Sequence, residues 1–171
     1  MAIRWRHRRA APLAALGVIA LVAILLNVAG GGGMHAARQD APSIESAILA
    51  IHAEMTKAGE SADPDRLFGH MADTAKGSVI QNGELLATRQ EALDRVRTNL
   101  RGVSRVQYRW RRQYVTALSP EAALLVAEGE STVSTTAGDT FSAPFAQTVV
   151  FVKKDGRWMG LHAHQSSPRA R

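Results

Sequence analysis

The sequence predicts an α+β fold, with about three helices preceding a long, curved antiparallel sheet. Three observations predict it. Between residues 42 and 101, apolar residues recur at helical spacing. From Val103 onward they alternate as in strands, with turn residues between the runs. The chain then closes on two apolar runs joined by Asp155-Gly156, a pair that accepts the positive φ of a type I′ hairpin turn. With 171 residues and 46% hydrophobic content there is material for one ordinary domain with its own core.

The N-terminus stands apart. Arg4, Arg6, Arg8 and Arg9 precede residues 13–29, LAALGVIALVAILLNVA, which carry no charge. This pattern is that of a signal peptide, or of an N-terminal membrane anchor (a transmembrane helix) whose basic end stays in the cytoplasm. Cleavage after Gly30 or near Ala36 would release the remainder; without cleavage the chain stays tethered. Either way the C-terminal domain is expected outside the cytoplasm, exported or anchored in the cytoplasmic membrane. A start at Met34 would instead give a cytoplasmic product. The net charge is +6, but setting those four arginines aside leaves 17 basic residues against 15 acidic. The basic character thus belongs to the N-terminus, and no nucleic-acid partner is expected. There is no cysteine, which excludes disulfides and thiol chemistry. Residues 30–41 read as a flexible linker, 42–167 as the folded domain and 168–171 as a disordered tail.

Within the domain, residues 42–58 read as a helix. Pro42 suits its first turn, Ile44, Ile48, Ile51 and Met55 form the apolar stripe, and Gly59 ends it. His52 sits at the flank of that stripe, as a half-buried structural histidine or a pocket residue. A short helix follows from Pro64 to about Ala72, with Asp63 as N-cap. Lys76 to Ala87 reads as a strand or hairpin turning at Asn82-Gly83. Thr88 and Glu91 form a capping box for a helix from Thr88 to Arg101.

The strands have expected faces. Val106, Tyr108, Trp110 and Tyr114 fall on one side of the first long strand, Arg105, Gln107, Arg109 and Arg111 on the other. A four-residue loop from Leu118 to Glu121 pairs Val115 with Leu124, Trp110 with Gly129, Tyr108 with Ser131, Arg109 with Glu130 and Arg111 with Glu128. Aromatics then cover small residues on a concave face, and opposite charges pair on a convex one. In the last hairpin Val152 faces Met159, Phe151 faces Gly160, Val149 faces His162 and Gln147 faces His164. The turn at Gly138-Asp139 leaves two alternatives. An even loop puts His162 and His164 on the convex face beside Glu128 and Glu130; an odd loop or bulge puts them on the concave face with Trp110 and Gly129.

The ending VVFVKKDGRWMGLHAHQS resembles that of the nuclear transport factor 2-like superfamily, in particular SnoaL-like domains and the association domain of calcium/calmodulin-dependent protein kinase. Asp155, Gly156, Trp158, His162, His164 and Ser166 carry the resemblance, with Asn82-Gly83-Glu84 and the run Ser119 to Leu124 adding to it. It implies a cone-shaped, cystatin-like α+β barrel with a pocket at its open end. It also implies dimerisation through the convex face. Pocket arginines that bind carboxylates in the kinase domain fall at Gly129, Val149 and Gln165, none of them basic. The comparison puts 129 and 149 on one face, which implies the odd loop or bulge and inward His162 and His164.

The expected ligand site is therefore Tyr108, Trp110, Gly129, Gln147, Val149, His162 and His164, suited to a small apolar or amphipathic molecule. His162 and His164, two residues apart on one strand, are also the candidate general bases of an isomerase- or cyclase-type enzyme. No third ligand stands at a matching spacing, so neither a metal nor another cofactor is expected. A domain serving as an oligomerisation module, most simply a dimer, is the remaining alternative.

Overall fold

The computed structural model describes residues 33–167, with side chains from residue 43. All of them lie in one compact unit, Gly31–Arg171, whose core among the described residues runs from Ile44 to Ala163. The segment 13–29 and the tail 168–171 lie outside the described residues. No helix among the described residues is long and apolar enough to cross a membrane.

Among the described residues, three helices and six strands follow in the expected order. Helix α1 spans Gly33–Glu60, α2 Pro64–Gly69 and α3 Arg89–Asn99. Strands β1 (Val79–Gln81) and β2 (Glu84–Leu86) form a small hairpin before α3. The long strands are β3 (Val103–Ser119), β4 (Ala122–Thr135), β5 (Thr140–Lys154) and β6 (Arg157–Ser166). They make one sheet of order β2-β1-β6-β5-β4-β3, antiparallel except where β1 lies parallel to β6. Asn82-Gly83 and Asp155-Gly156 both take positive φ, as the type I′ hairpin requires.

Helix α1 starts earlier than the sequence suggested. It begins at Gly33, so residues 33–41 are helical. The Met, Ala, Arg and Gln residues of this stretch are good helix formers, and Pro42 lies within the helix instead of at its first turn. The other helix signals hold. The Asp63 side chain accepts from the Arg66 N–H, and both arms of the Thr88/Glu91 capping box are formed.

The core lies between the helices and the concave face of the sheet. Ile48 of α1, Leu125 of β4, and Val149 and Phe151 of β5 are fully buried there. The β4–β5 turn is the odd loop: Ser134 pairs with Thr140, and Leu125, Ala127 and Gly129 share the concave face with Val149, Gln147 and Phe145.

Bulges alter the register elsewhere. In β3, Trp110 pairs with Gly129, Tyr108 with Ser131 and Arg109 with Glu130, as expected, but a bulge follows Trp110. Beyond it Arg112, not Arg111, pairs with Glu128, and Val115 pairs with Leu125. The extra residue exchanges the faces. Tyr114 therefore leaves the concave face and is 60% exposed on the convex one. A second shift near Leu118 shortens the β3–β4 loop to Pro120-Glu121.

The bulge in β6 matters most for function. Phe151 pairs with Gly160, but Val150 pairs with His162, leaving Leu161 as the extra residue. Val149 then faces Ala163, and Gln147 faces Gln165. The outer edge of β6 changes partner at this point. Gly160 is bonded to the segment His70–Ala72 through Gly160 N–H to His70 O (2.8 Å) and Ala72 N–H to Gly160 O (2.7 Å). From Ala163 onward the strand pairs with β1. Satisfying both partners takes one residue more than β5 offers.

Candidate functional site

A cavity of about 320 Å³ opens between the concave sheet and the helices. Its apolar wall comes from the inward rows of the sheet and from α1, α2 and α3, including Met55, Phe68, Val96, Val106 and Val149. Exposed Asn82, Asn99 and Ser167 are also among its lining residues.

One wall is aromatic. Tyr108 and Trp110 alternate inward on β3 and meet Phe145 of β5. The Trp110 and Phe145 rings sit edge to face at 5.0 Å, and Tyr108 and Trp110 stack at 6.0 Å. The Trp110 indole N–H donates to Thr56 Oγ1 at 3.1 Å, and that hydroxyl donates to the His52 carbonyl at 2.9 Å. Burial, and secondarily the Glu60 carboxylate, raise the Tyr108 phenol above its ordinary pKa.

The other wall is polar, and its centre is His52. On α1 the buried face runs Ile44, Ile48, His52, which puts the imidazole in the middle of the stripe, 3% exposed. Its ring packs against Trp110 at 4.6 Å. Nδ1 lies 3.1 Å from Gln113 Oε1, and Nε2 lies 2.6 Å from Gln147 Nε2. A carbonyl oxygen can only accept and an amide nitrogen can only donate, so this arrangement requires a neutral ring protonated on Nδ1. Burial acts the same way, holding the His52 pKa below its ordinary value against the opposing effect of Gln113. The chain of bonds continues outward: Gln165 Nε2 donates to Gln147 Oε1 at 2.9 Å, and Gln81 Nε2 donates to Gln165 Oε1 at 3.0 Å. Helix α1 and strands β1, β3, β5 and β6 each contribute one member.

Of the residues singled out from sequence, Tyr108, Trp110, Gln147 and Val149 line the cavity. Gly129 does not; it is buried beneath β3, where an added Cβ would lie 2.5 Å from the Arg109 carbonyl oxygen. His162 and His164 are not inward. The β6 bulge turns them to the convex side opposite Val150 and Thr148. His162 Nδ1 donates to Gly77 O at 3.0 Å, and His164 is exposed. Sequence reasoning missed Gln81 and Gln113, named Gln165 only as a pocket position that the resemblance implies, and placed His52 only at a flank. The spacing 44-48-52 would have centred His52, whereas Gln113 and Gln165 depend on bulges that carry no local signal.

Among the described residues lining the cavity there is no Asp, Glu, Lys or Arg. Nor does any group of three or more His, Cys, Asp or Glu among the described residues come together as a metal site. The arrangement can therefore enclose an apolar body and hydrogen-bond a polar atom at the amide wall.

The chain belongs to the SnoaL-like domain family, whose model matches residues 48–170. Solved structures place it in the nuclear transport factor 2-like, cystatin-like α+β fold. A nuclear transport factor 2-like superfamily protein from Salmonella enterica serovar Typhimurium is 16% identical, with TM-score 0.67, over 75% of this chain and 94% of that one. A ketosteroid isomerase-like protein from Erwinia carotovora is 18% identical, with TM-score 0.62, over 73% and 96%. A protein from Xanthomonas campestris, provisionally assigned as a calcium/calmodulin-dependent protein kinase II association domain, is 16% identical, with TM-score 0.59, over 75% and 88%. At such identities the likeness is one of fold. No curated protein matches the chain.

Proposed function

We propose that this SnoaL-like domain is a binding module for a small apolar or amphipathic molecule. The observation that carries the reading is the cavity itself, about 320 Å³, with an aromatic wall facing a hydrogen-bonded chain of His52, Gln147 and Gln165. Apolar enclosure with a few convergent polar groups is the usual make-up of a small-molecule site. Native mass spectrometry of gently purified residues 31–171 tests it. The expected result is extra mass from a small organic molecule, lost in Ser131→Trp, which fills a half-buried lining position. Bare protein that also ignores added apolar compounds would contradict it.

The proposal extends to assembly and location. Tyr114 and Val126 pair across β3 and β4 on the convex face and are 60% and 43% exposed, a patch suited to a second copy. The association-domain-like neighbour is consistent with this. The same spectra report a dimer, and a monomer at high concentration would exclude it. Export, or tethering through residues 13–29, rests on the four arginines before that uncharged run. Cell fractionation with the intact mass of the product distinguishes the two, and a soluble cytoplasmic product would exclude both.

A second reading is a small isomerase- or cyclase-type enzyme, favoured by one observation: His52 is the one imidazole among the described residues that line the cavity. Both its ring nitrogens are already hydrogen-bonded, and no carboxylate among the described residues lines the cavity to exchange a proton with it. General acid–base chemistry thus lacks a partner, and binding is the stronger reading. Turnover of ketone substrates that is lost in His52→Gln would reverse that order.

A further inference from the structure

We propose that the cavity selects an uncharged molecule bearing a carbonyl or hydroxyl oxygen and excludes carboxylates. The inference rests on the binding reading above and narrows it. Two observations carry it. The first is the lining: apolar, hydroxyl, carboxamide and one imidazole side chain, with no Asp, Glu, Lys or Arg among the described residues. The second is the direction of the bonds along the polar wall. Gln147 presents its nitrogen to His52 Nε2 and its oxygen to Gln165, and Gln165 presents its oxygen to Gln81.

Each carboxamide nitrogen carries two N–H bonds and uses one in the chain. Gln147 and Gln165, which both line the cavity, therefore retain an N–H for a ligand oxygen. A ketone or alcohol oxygen is satisfied by such a donor. A carboxylate entering the same place would lose its hydration with no cation to offset the loss, and burying an unpaired charge is far costlier than burying a hydrogen-bonded neutral group. An ammonium group meets the same obstacle, since no carboxylate awaits it.

The test compares decan-2-one, 1-decanol and sodium decanoate at about pH 8, where the acid is fully ionised. Their binding to residues 31–171 is measured by calorimetry. The expected result is binding of the ketone and alcohol, with decanoate weaker by more than about tenfold. Decanoate binding as tightly as the neutral pair overturns the selectivity and leaves the binding reading standing. Failure of all three overturns both. In Gln165→Lys the ammonium can still donate to Gln147 Oε1 while supplying the missing cation. Decanoate affinity should then rise about tenfold or more toward that of the alcohol. Continued exclusion by a folded Gln165→Lys would show that charge is not what excludes the acid, and would overturn the proposal.

Discussion

His52 is where composition and position conflict: a titratable ring on the most buried face of α1, held between two glutamines. Burial lowers its pKa in the folded state, while the unfolded chain protonates it near about 6.5. Between those values the unfolded state binds more protons. Stability is therefore fully present above about 6.5 and is lost as pH falls toward the folded value. His70 is also lowered, chiefly by burial, and contributes in the same direction. Melting temperatures from pH 8 to pH 5 should fall in the wild type and fall less steeply in His52→Gln; parallel curves would show that His52 is not the titrating group. Two glycines make a second test. An added Cβ at Gly129 meets backbone, the Arg109 carbonyl at 2.5 Å, whereas at Gly160 it meets the end of a flexible side chain, Met71 Sδ at 2.6 Å. Gly129→Ala should cost about 1–3 kcal/mol in denaturant unfolding, and Gly160→Ala less.

At the scale of elements, the local signals predicted well wherever the determinant is local. The α3 capping box is formed in full: the Glu91 N–H donates to Thr88 Oγ1 at 3.0 Å, and the Glu91 carboxylate accepts from Thr88 N–H at 3.3 Å and Ala87 N–H at 2.8 Å. Thr88→Ala should lower stability by about 1 kcal/mol, measured by thermal unfolding. Asp63, Asn82-Gly83 and Asp155-Gly156 were legible for the same reason, since each acts on its own few residues. What was not legible is the count of residues between cross-strand partners. One extra residue after Trp110 moved Tyr114 outward and brought Gln113 to His52; one extra residue at Leu161 moved His162 and His164 outward and brought in Ala163 and Gln165. The bulge in β6 occurs where that strand changes its edge partner from His70–Ala72 to β1, a requirement set by distant parts of the chain. The pairing of Trp110 with Gly129 was recovered because the two extra residues of β3, at Leu118 and Arg111, offset the two residues by which the β3–β4 loop is shorter than expected. Helix α1 begins at Gly33, ahead of the proline expected in its first turn.

At the scale of the molecule, the helices and the concave sheet enclose a cavity whose charged residues have been displaced to the outside. Arg112 pairs with Glu128 at 2.8 Å, and Arg111 with Glu130 at 3.4 Å, on the convex face. These pairs are exposed, so their contribution to stability is small; their consequence is that the inward rows are left neutral. The fold was legible as helices followed by a meander, while the site was legible only in part: Tyr108, Trp110, Gln147 and Val149 precede the β6 bulge or lie on straight stretches. The central claim is that the cavity holds a small molecule against the amide wall. The most direct measurement is a crystal structure of residues 31–171 grown with decan-2-one. The account predicts ligand density beside Trp110 and Phe145, with the ketone oxygen within hydrogen-bonding distance of Gln147 or Gln165 Nε2. A cavity closed by repacked side chains, or ligand bound on the convex face beside His162 and His164, would contradict it.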